Sequence, residues 1–395
     1  MRRRTRGAAV KIRLDKDVLA EAVQWAARSL PTRPSVPILA GLLMKAEDRT
    51  VVFSSFDYET SARITVPAEV SEPGVALISG RLLADISRSL PNKPVTLTAA
   101  GSSLELVCGS ARFTLQLLPV NDYPELPQMP EASGTVPSED FARAVSQVVV
   151  AAGRDELLPV FTGVRVEIEG DQVDLLATDR YRMALKELGW NPLSTQASAA
   201  ALVPAKVLAD AARSMTSGET VTLSISTAST GEGLIGLEGE GAGGSRQITT
   251  RLLDGEFPKV RHLMSVNPAL TVRTNTADLL ASVKRVGLVA ERNTSLRMLI
   301  EEGAVTLEAA TGDQAQASEA IEAVVETVGG GEQPITAAGF NPHYLSDALT
   351  ALDTPYVHFA FTAPGKPCLV TGLTELDGEP ATDYRHVIML MRLPN

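Results

Sequence analysis

Three stretches of the chain carry apolar side chains at the spacing of a one-sided helix, three and four residues apart. In DVLAEAVQWAARSL, from Asp17, one stripe holds Val18, Leu19, Ala22, Val23, Ala26 and Leu30, while Asp17, Glu21, Gln24 and Arg28 face away. Phe141, Val145, Val148 and Ala152 repeat the stripe in EDFARAVSQVVVAAG, as do Leu279, Val283 and Val286 in ADLLASVKRVGLVAE. After each come runs rich in Val, Ile, Leu and Thr: LLMKAEDRTVVFSSFDYETSARITV, GVRVEIEGDQVDLLATDRYRMALKEL and LRMLIEEGAVTLEAATGDQAQASEAIEAVV. These predict hairpins pivoting on Glu-Asp, Glu-Gly-Asp and Glu-Gly. A second helix then follows in register, as SGRLLADISRSL, PAKVLADAARSM and NPHYLSDALTAL, aligning Asp85, Asp210 and Asp347.

Ordered agreement of helix, hairpins, helix and hairpins three times over identifies a triplicated α+β unit, two helices packed on antiparallel sheets. The 395 residues suffice for it. Boundaries are expected near Pro127 to Pro137 and Met264 to Pro268. They give a basic extension at 1–9 and units at 10–130, 131–266 and 267–395. Units joined through their sheet edges close into a ring if the rotation per unit permits, and a second chain completing the circle makes that ring a head-to-tail homodimer.

Thirty-six basic against 47 acidic residues give a net charge of −11, which by itself argues against a nucleic-acid partner. The distribution reverses that inference. Arg28, Arg33, Arg81, Arg88, Lys93, Arg143, Arg154, Lys206, Arg213, Lys284, Arg285 and Arg292 fall in or beside the helices, whereas acidic residues gather in hairpins such as VEIEGDQVD and ELDGEP. Basic helices inside a ring would hold nucleic acid by its phosphates without reading sequence.

The stretches SLPTRPSVPILAGLL, FDYETSARI, SGRLLADISRSLPNKPV, CGSARFTLQLLPVNDYPELP, LLPVFTGVRVEIEGDQVDLLATDRYRMAL, TTRLLDGEFPKVRHLM, LVAERNTSLRM and the terminal MRLPN resemble the bacterial sliding clamps, the β subunit of DNA polymerase III, from about Val10 to Asn395. The overall flavour resembles that of actinobacterial clamps. The resemblance implies a non-catalytic processivity factor that encircles double-stranded DNA and tethers the polymerase III α subunit, the clamp loader and other motif-bearing proteins. It places a partner-peptide pocket at Phe161, at Thr178, Asp179, Arg180, Tyr181, Arg182 and Met183, and at Pro258, His262 and Leu263. Asn341, Tyr344 and the C-terminal Met389, Leu390, Met391, Arg392 and Leu393 complete it. The basic helix layer places DNA contacts at Arg33, Arg81, Arg88, Lys206, Arg213, Lys284 and Arg285, and the resemblance places a dimer interface at Ile86, Leu90, Phe113 and Leu115 with Leu288 and Val289. Two positions depart from the family's pattern: Phe161 stands where leucine is usual, and Leu390 where proline is. Both bear on the pocket, which raises a second reading, a paralogue that resists a groove-binding cyclic peptide antibiotic. The N-terminal MRRRTRGAA also departs, and Val10 is the expected initiator.

Covalent chemistry is not expected. Gly231 to Gly236 spell GxGxxG, but between strand-like runs with no helix following, which cannot aim a helix end at a pyrophosphate. His262, His343, His358 and His386 lack metal-ligand spacing, and no cofactor is indicated. Cys108 and Cys368 lie in apolar runs as small buried hydrophobes. With no apolar run near the ~20 residues that span a bilayer and no apolar segment behind the basic N-terminus, the expectation is a cytoplasmic protein without a membrane partner.

Overall fold

The computed structural model describes residues 9–226, 233–291, 294–329 and 334–393. The first repeat runs β1 (Val10–Leu14), α1 (Lys16–Ala27), β2 (Gly41–Glu47), β3 (Thr50–Phe56), β4 (Thr60–Pro67), β5 (Glu69–Glu72), β6 (Gly74–Ser79), α2 (Gly80–Ser89), β7 (Val95–Ala100), β8 (Ser103–Cys108) and β9 (Ala111–Leu118). The second follows the same order: β10 (Gly134–Pro137), α3 (Ser138–Val149), β11 (Gly163–Glu169), β12 (Gln172–Thr178), β13 (Arg182–Gly189), β14 (Asn191–Pro192), β15 (Ser198–Pro204), α4 (Ala205–Ser214), β16 (Thr220–Ser226), β17 (Leu234–Gly241) and β18 (Gly244–Arg251). The third comprises β19 (Leu270–Asn275), α5 (Thr276–Val286), β20 (Leu296–Glu301), β21 (Ala304–Thr311), β22 (Ala315–Thr327), β23 (Ala337–Phe340), α6 (Pro342–Leu352), β24 (Tyr356–Phe361), β25 (Cys368–Leu373) and β26 (Tyr384–Ile388). Here the 13-residue β22 replaces the fourth and fifth strands of the other repeats. Residues 1–8 of the basic extension and Arg292 lie outside the described residues.

All six anticipated helices are present. Helix α3 stops at Val149, so Arg154, expected on that helix, lies in the loop beyond it. Helix α1 buries Leu19, Ala22, Val23, Trp25 and Ala26, each large apolar side chain contributing about 1.5–3 kcal/mol relative to exposure. It packs on α2, and Gly80 at the start of α2 makes room for Leu30 just beyond α1, since a Cβ there would stand 2.4 Å from a Leu30 methyl. Helices α5 and α6 start on asparagine caps: the Asn275 and Asn341 side chains accept backbone N–H bonds from Asp278, and from His343 and Tyr344.

Every strand pairing is antiparallel. One sheet of fourteen strands has the order β14-β10-β16-β17-β18-β4-β3-β2-β6-β9-β8-β7-β1-β5, and one of twelve the order β15-β11-β12-β13-β26-β25-β24-β19-β22-β21-β20-β23. Consecutive repeats therefore join by strand pairing, β4 with β18 (Thr60 opposite Thr250) and β13 with β26 (Arg182 opposite Ile388). Because hydrogen-bonded strands make more contacts than facing sheets, packing divides the chain into two compact bodies rather than three. One holds residues up to 141 with 190–197 and 210–252, and the other holds 142–189, 198–209 and 253 onward.

Besides the terminal strands β5, β14, β15 and β23 of the two sheets, two inner strands keep an open edge among the described residues. Strand β9 pairs with β6 only through Leu117 and Leu118, which leaves the side of Ala111–Gln116 away from β8 open. Strand β22 pairs with β21 through Ala315–Glu322 and with β19 only from Ala323 onward, so Ala315–Glu322 also present an open side. These two segments hold the positions that pair at the junctions, β22 standing for β4 and β13, and β9 for β18 and β26.

Candidate peptide-binding site and nucleic-acid interface

The turn between β12 and β13 organises the first surface. The Asp179 carboxylate accepts the Tyr181 and Arg182 N–H groups, each at 3.0 Å, and Arg180 adopts a positive φ of 82°. Thr178 Oγ1 donates to the Arg182 carbonyl at 2.7 Å and accepts the Arg180 N–H. The turn thereby buries the Arg182 guanidinium, which donates to Asp179 at 3.0 Å and to Asp347 of α6 at 2.6 Å while lying 4.3 Å from the Tyr344 ring centre. Burial and the Asp179 charge raise the Tyr344 pKa. Arg180 lies over the rings of Phe161 and Tyr181, at 5.5 and 5.7 Å. Together with Gly153, Arg154, Leu158 and His343 these side chains line a hollow of about 470 Å³.

Beside it lies an apolar patch. Val160, Leu253, Val260, Leu263, Leu369 and Met389 sit half-buried on a core of Leu176, Met183, Leu185, Leu202, Phe257, Met264 and Val387. Met389 is fixed by its N–H bond to the Tyr181 carbonyl, 2.9 Å. Pro258 is half-buried and His262 exposed on the 3-10 turn Arg261–Met264. Arg261 anchors that turn to Asp174 at 2.6 Å and to Glu167. Burial raises the Glu167 pKa, but hydrogen bonds from Arg165 and Arg261 outweigh it and hold the carboxyl below its ordinary value.

The structure distributes the expected pocket residues. Phe161, Asp179, Arg180, Tyr181, Arg182 and Tyr344 share the hollow, whereas Met183, Leu263 and Met389 belong to the apolar patch. Thr178 and Asn341 act on backbone, as turn lock and helix cap. Met391, Arg392 and Leu393 line a different hollow of about 810 Å³ against Arg297, Glu308 and Gln316, with Met391 bridged to Gly339. Leu390 is half-buried on the intervening segment. The sequence reading missed Asp347, Arg154 and His343 as site residues. Asp347 was visible only as a repeated position, and its pairing with Arg182, 165 residues away, leaves no local signal.

The basic side chains at Arg33, Arg81, Arg88, Lys206, Arg213, Lys284 and Arg285 are all exposed. Arg81 reaches the Leu30 and Pro31 carbonyls, Arg213 pairs with Asp210 at 2.5 Å, and Arg285 binds Glu319 with two nitrogens. Of the expected interface residues, Phe113 and Leu115 lie on β9, and Leu288 and Val289 form the 3-10 turn Gly287–Val289 against β21 and β22. Leu288 is 84% exposed. Ile86 is half-buried on α2, with Leu90 buried just after it.

Gly233 precedes β17 and Gly236 lies within it, which removes any helix from the glycine motif; Gly231 and Glu232 lie outside the described residues. Both cysteines are buried and unbonded to each other. Among the described residues there is no cluster of metal-ligating side chains, and no helix is long and apolar enough to cross a membrane.

Three family models match in tandem: the DNA polymerase III beta subunit N-terminal domain over residues 10–127, its central domain over 135–259 and its C-terminal domain over 261–392. The chain is 53% identical over 384 residues to the "Beta sliding clamp" of Streptomyces coelicolor, covering 97% of this chain and all of that one. It is 40% identical to the "Beta sliding clamp homolog GriR" of Streptomyces muensis, over 97% and 99% of the two chains. The crystal structure of the C. crescentus beta sliding clamp superposes with a TM-score of 0.86 at 25% identity, over 98% of this chain and all of the other. The chain belongs to the DNA polymerase III beta subunit family, the bacterial sliding clamps.

Proposed function

We propose that this chain is a replication processivity factor: two copies close a ring around duplex DNA and tether the polymerase to its template. The two open strand edges carry the reading. Inside the chain, each junction pairs the fourth-strand position of one repeat with the last strand of the next. The third repeat offers Ala315–Glu322 and the first offers Ala111–Gln116, with no partner in either case among the described residues. Pairing them between two copies repeats the internal junction, and Phe113, Leu115, Leu288 and Val289 beside these edges would supply apolar cover.

The exposed basic side chains of the helices contact phosphates without base readout, so the ring slides. The hollow and apolar patch around Arg182 and Met389 take linear motifs of the polymerase α subunit and the clamp loader, an apolar groove with a few polar groups setting orientation. A groove-binding cyclic peptide would compete there. The chain itself does no covalent chemistry and works in the cytoplasm. The higher identity to the Streptomyces coelicolor clamp than to the GriR homolog favours the replication role over the resistance role.

Primer extension on a long single-primed template, with polymerase and clamp loader present, tests this. Product length should rise about tenfold or more with this protein and return to the clamp-free length with Met389→Ser, whose lost apolar contact costs roughly 2 kcal/mol. Equal product lengths with and without the protein would overturn the reading.

A further inference from the structure

The geometry that builds the peptide surface at the second junction recurs at the first. The Asp57 carboxylate accepts the Glu59 and Thr60 N–H groups at 2.9 and 2.6 Å, as Asp179 does for Tyr181 and Arg182. Tyr58 has a φ of 75°, matching Arg180 at 82°. The Arg251 N–H meets the Glu59 carbonyl at 3.0 Å, as the Met389 N–H meets that of Tyr181 at 2.9 Å. Beside this turn, Phe56, Tyr58, Pro124, Pro127 and Leu234 line a hollow of about 320 Å³. Tyr58 is 44% exposed and stands edge-on to Phe56 at 5.6 Å.

The two junctions differ underneath. Where the second has Leu176, Met183 and Val387, the first has buried Ser54, Ser61 and Thr249, so three apolar positions beneath the turn are hydroxyl residues here. Its rim carries the exposed carboxylates of Glu59 and Glu125, with Arg251 the one cation in the lining and already engaged within the protein. An exposed aromatic held at a positive φ that glycine would favour, with two prolines beside it, is a surface for stacking rather than for core packing.

We propose that this hollow is a second docking site, taking an extended peptide segment of a partner protein that places an aliphatic or proline side chain against Tyr58 and a lysine or arginine against Glu59 and Glu125. The occupant differs from the motif taken at the second junction, because the smaller hollow, about 320 against 470 Å³, with Glu59 and Glu125 on its rim, rewards one small apolar anchor with a flanking cation.

The test is selection of a random dodecapeptide display library on the full-length protein, followed by titration of the enriched peptides against variants. Tyr58→Gly removes the ring while relieving its positive φ, so lost binding does not report lost folding. The expected result is enrichment of peptides pairing Pro, Leu or Val with Lys or Arg, whose affinity falls at least about tenfold with Tyr58→Gly and with Glu125→Lys but not with Met389→Ser. Three results would overturn the proposal: enrichment only of peptides that depend on Met389, enrichment of acidic peptides, or none sensitive to Tyr58→Gly. Concentration-dependent self-association of the wild type abolished by Tyr58→Gly would also overturn it, assigning the hollow to a second copy of this chain.

Discussion

Replacing Arg182 with methionine keeps most of the side chain's length and removes its charge. Asp179, with its side chain 13% exposed, then keeps two backbone N–H donors but no cation, while the Tyr344 ring loses the guanidinium 4.3 Å away. Removing one partner of a buried pair costs about 3–5 kcal/mol. The Asp347 arm contributes little to that sum, because its carboxylate is 44% exposed and surface pairs are worth about 0–1 kcal/mol. The expected cost of Arg182→Met is therefore about 3 kcal/mol at the low end of the range, and that of Asp347→Asn below about 1 kcal/mol. For a cooperative body of roughly 200 residues, 3 kcal/mol lowers Tm by about 6–12 °C. Urea and thermal unfolding of both variants measure this directly. A loss below about 1 kcal/mol for Arg182→Met, or a larger loss for Asp347→Asn, would show that the guanidinium does not hold the turn together.

Three further outcomes follow from the same structure. Burial holds His386 at about 3 and His358 at about 4, against an ordinary 6.5. Both are neutral in the fold, so the unfolded chain binds more protons below pH 6.5. Stability is full above that pH and falls as pH drops toward 4, by roughly 2.5 kcal/mol per histidine at pH 4.5; urea midpoints should fall accordingly, and His386→Asn should flatten the slope. Glutamate introduced at Ala317, on the open edge of β22, should weaken self-association by at least about tenfold in analytical ultracentrifugation, and an unchanged dissociation constant would count against that edge. Phe161→Leu removes the ring beneath Arg180 and should change motif-peptide affinity by about 0.5–1 kcal/mol, read by fluorescence anisotropy.

The helices were legible because each buries one stripe, and the hairpins because Glu169-Gly170-Asp171 and Glu302-Gly303 punctuate β-rich runs. The repetition of helix, strands, helix and strands also came through, though not the merging of two strands into β22 in the third repeat, as did the exposed placement of the basic residues. What local sequence could not show was long-range pairing. Nothing near Arg182 announces Asp347, and nothing near Met391 announces that the last residues turn away from Phe161 to lie against Arg297 and Gln316. The two-body packing was equally hidden, since it follows from which strand edges meet. The likeness of FDYET to TDRYR at the two junctions was present in the sequence, but became meaningful only once both turns showed the same carboxylate bonds and the same positive φ.

A ring holds DNA topologically, and retention on closed DNA tests this most directly. Protein loaded onto nicked circular DNA should co-elute with it through salt that screens phosphate contacts, and should dissociate when a restriction enzyme linearises the circle. Replacing Arg81, Arg88, Lys206, Arg213, Lys284 and Arg285 together with serine should slow loading while leaving release dependent on linearisation. Equal retention on linear and circular DNA, or loss from the circle in salt alone, would contradict a ring that encircles its substrate.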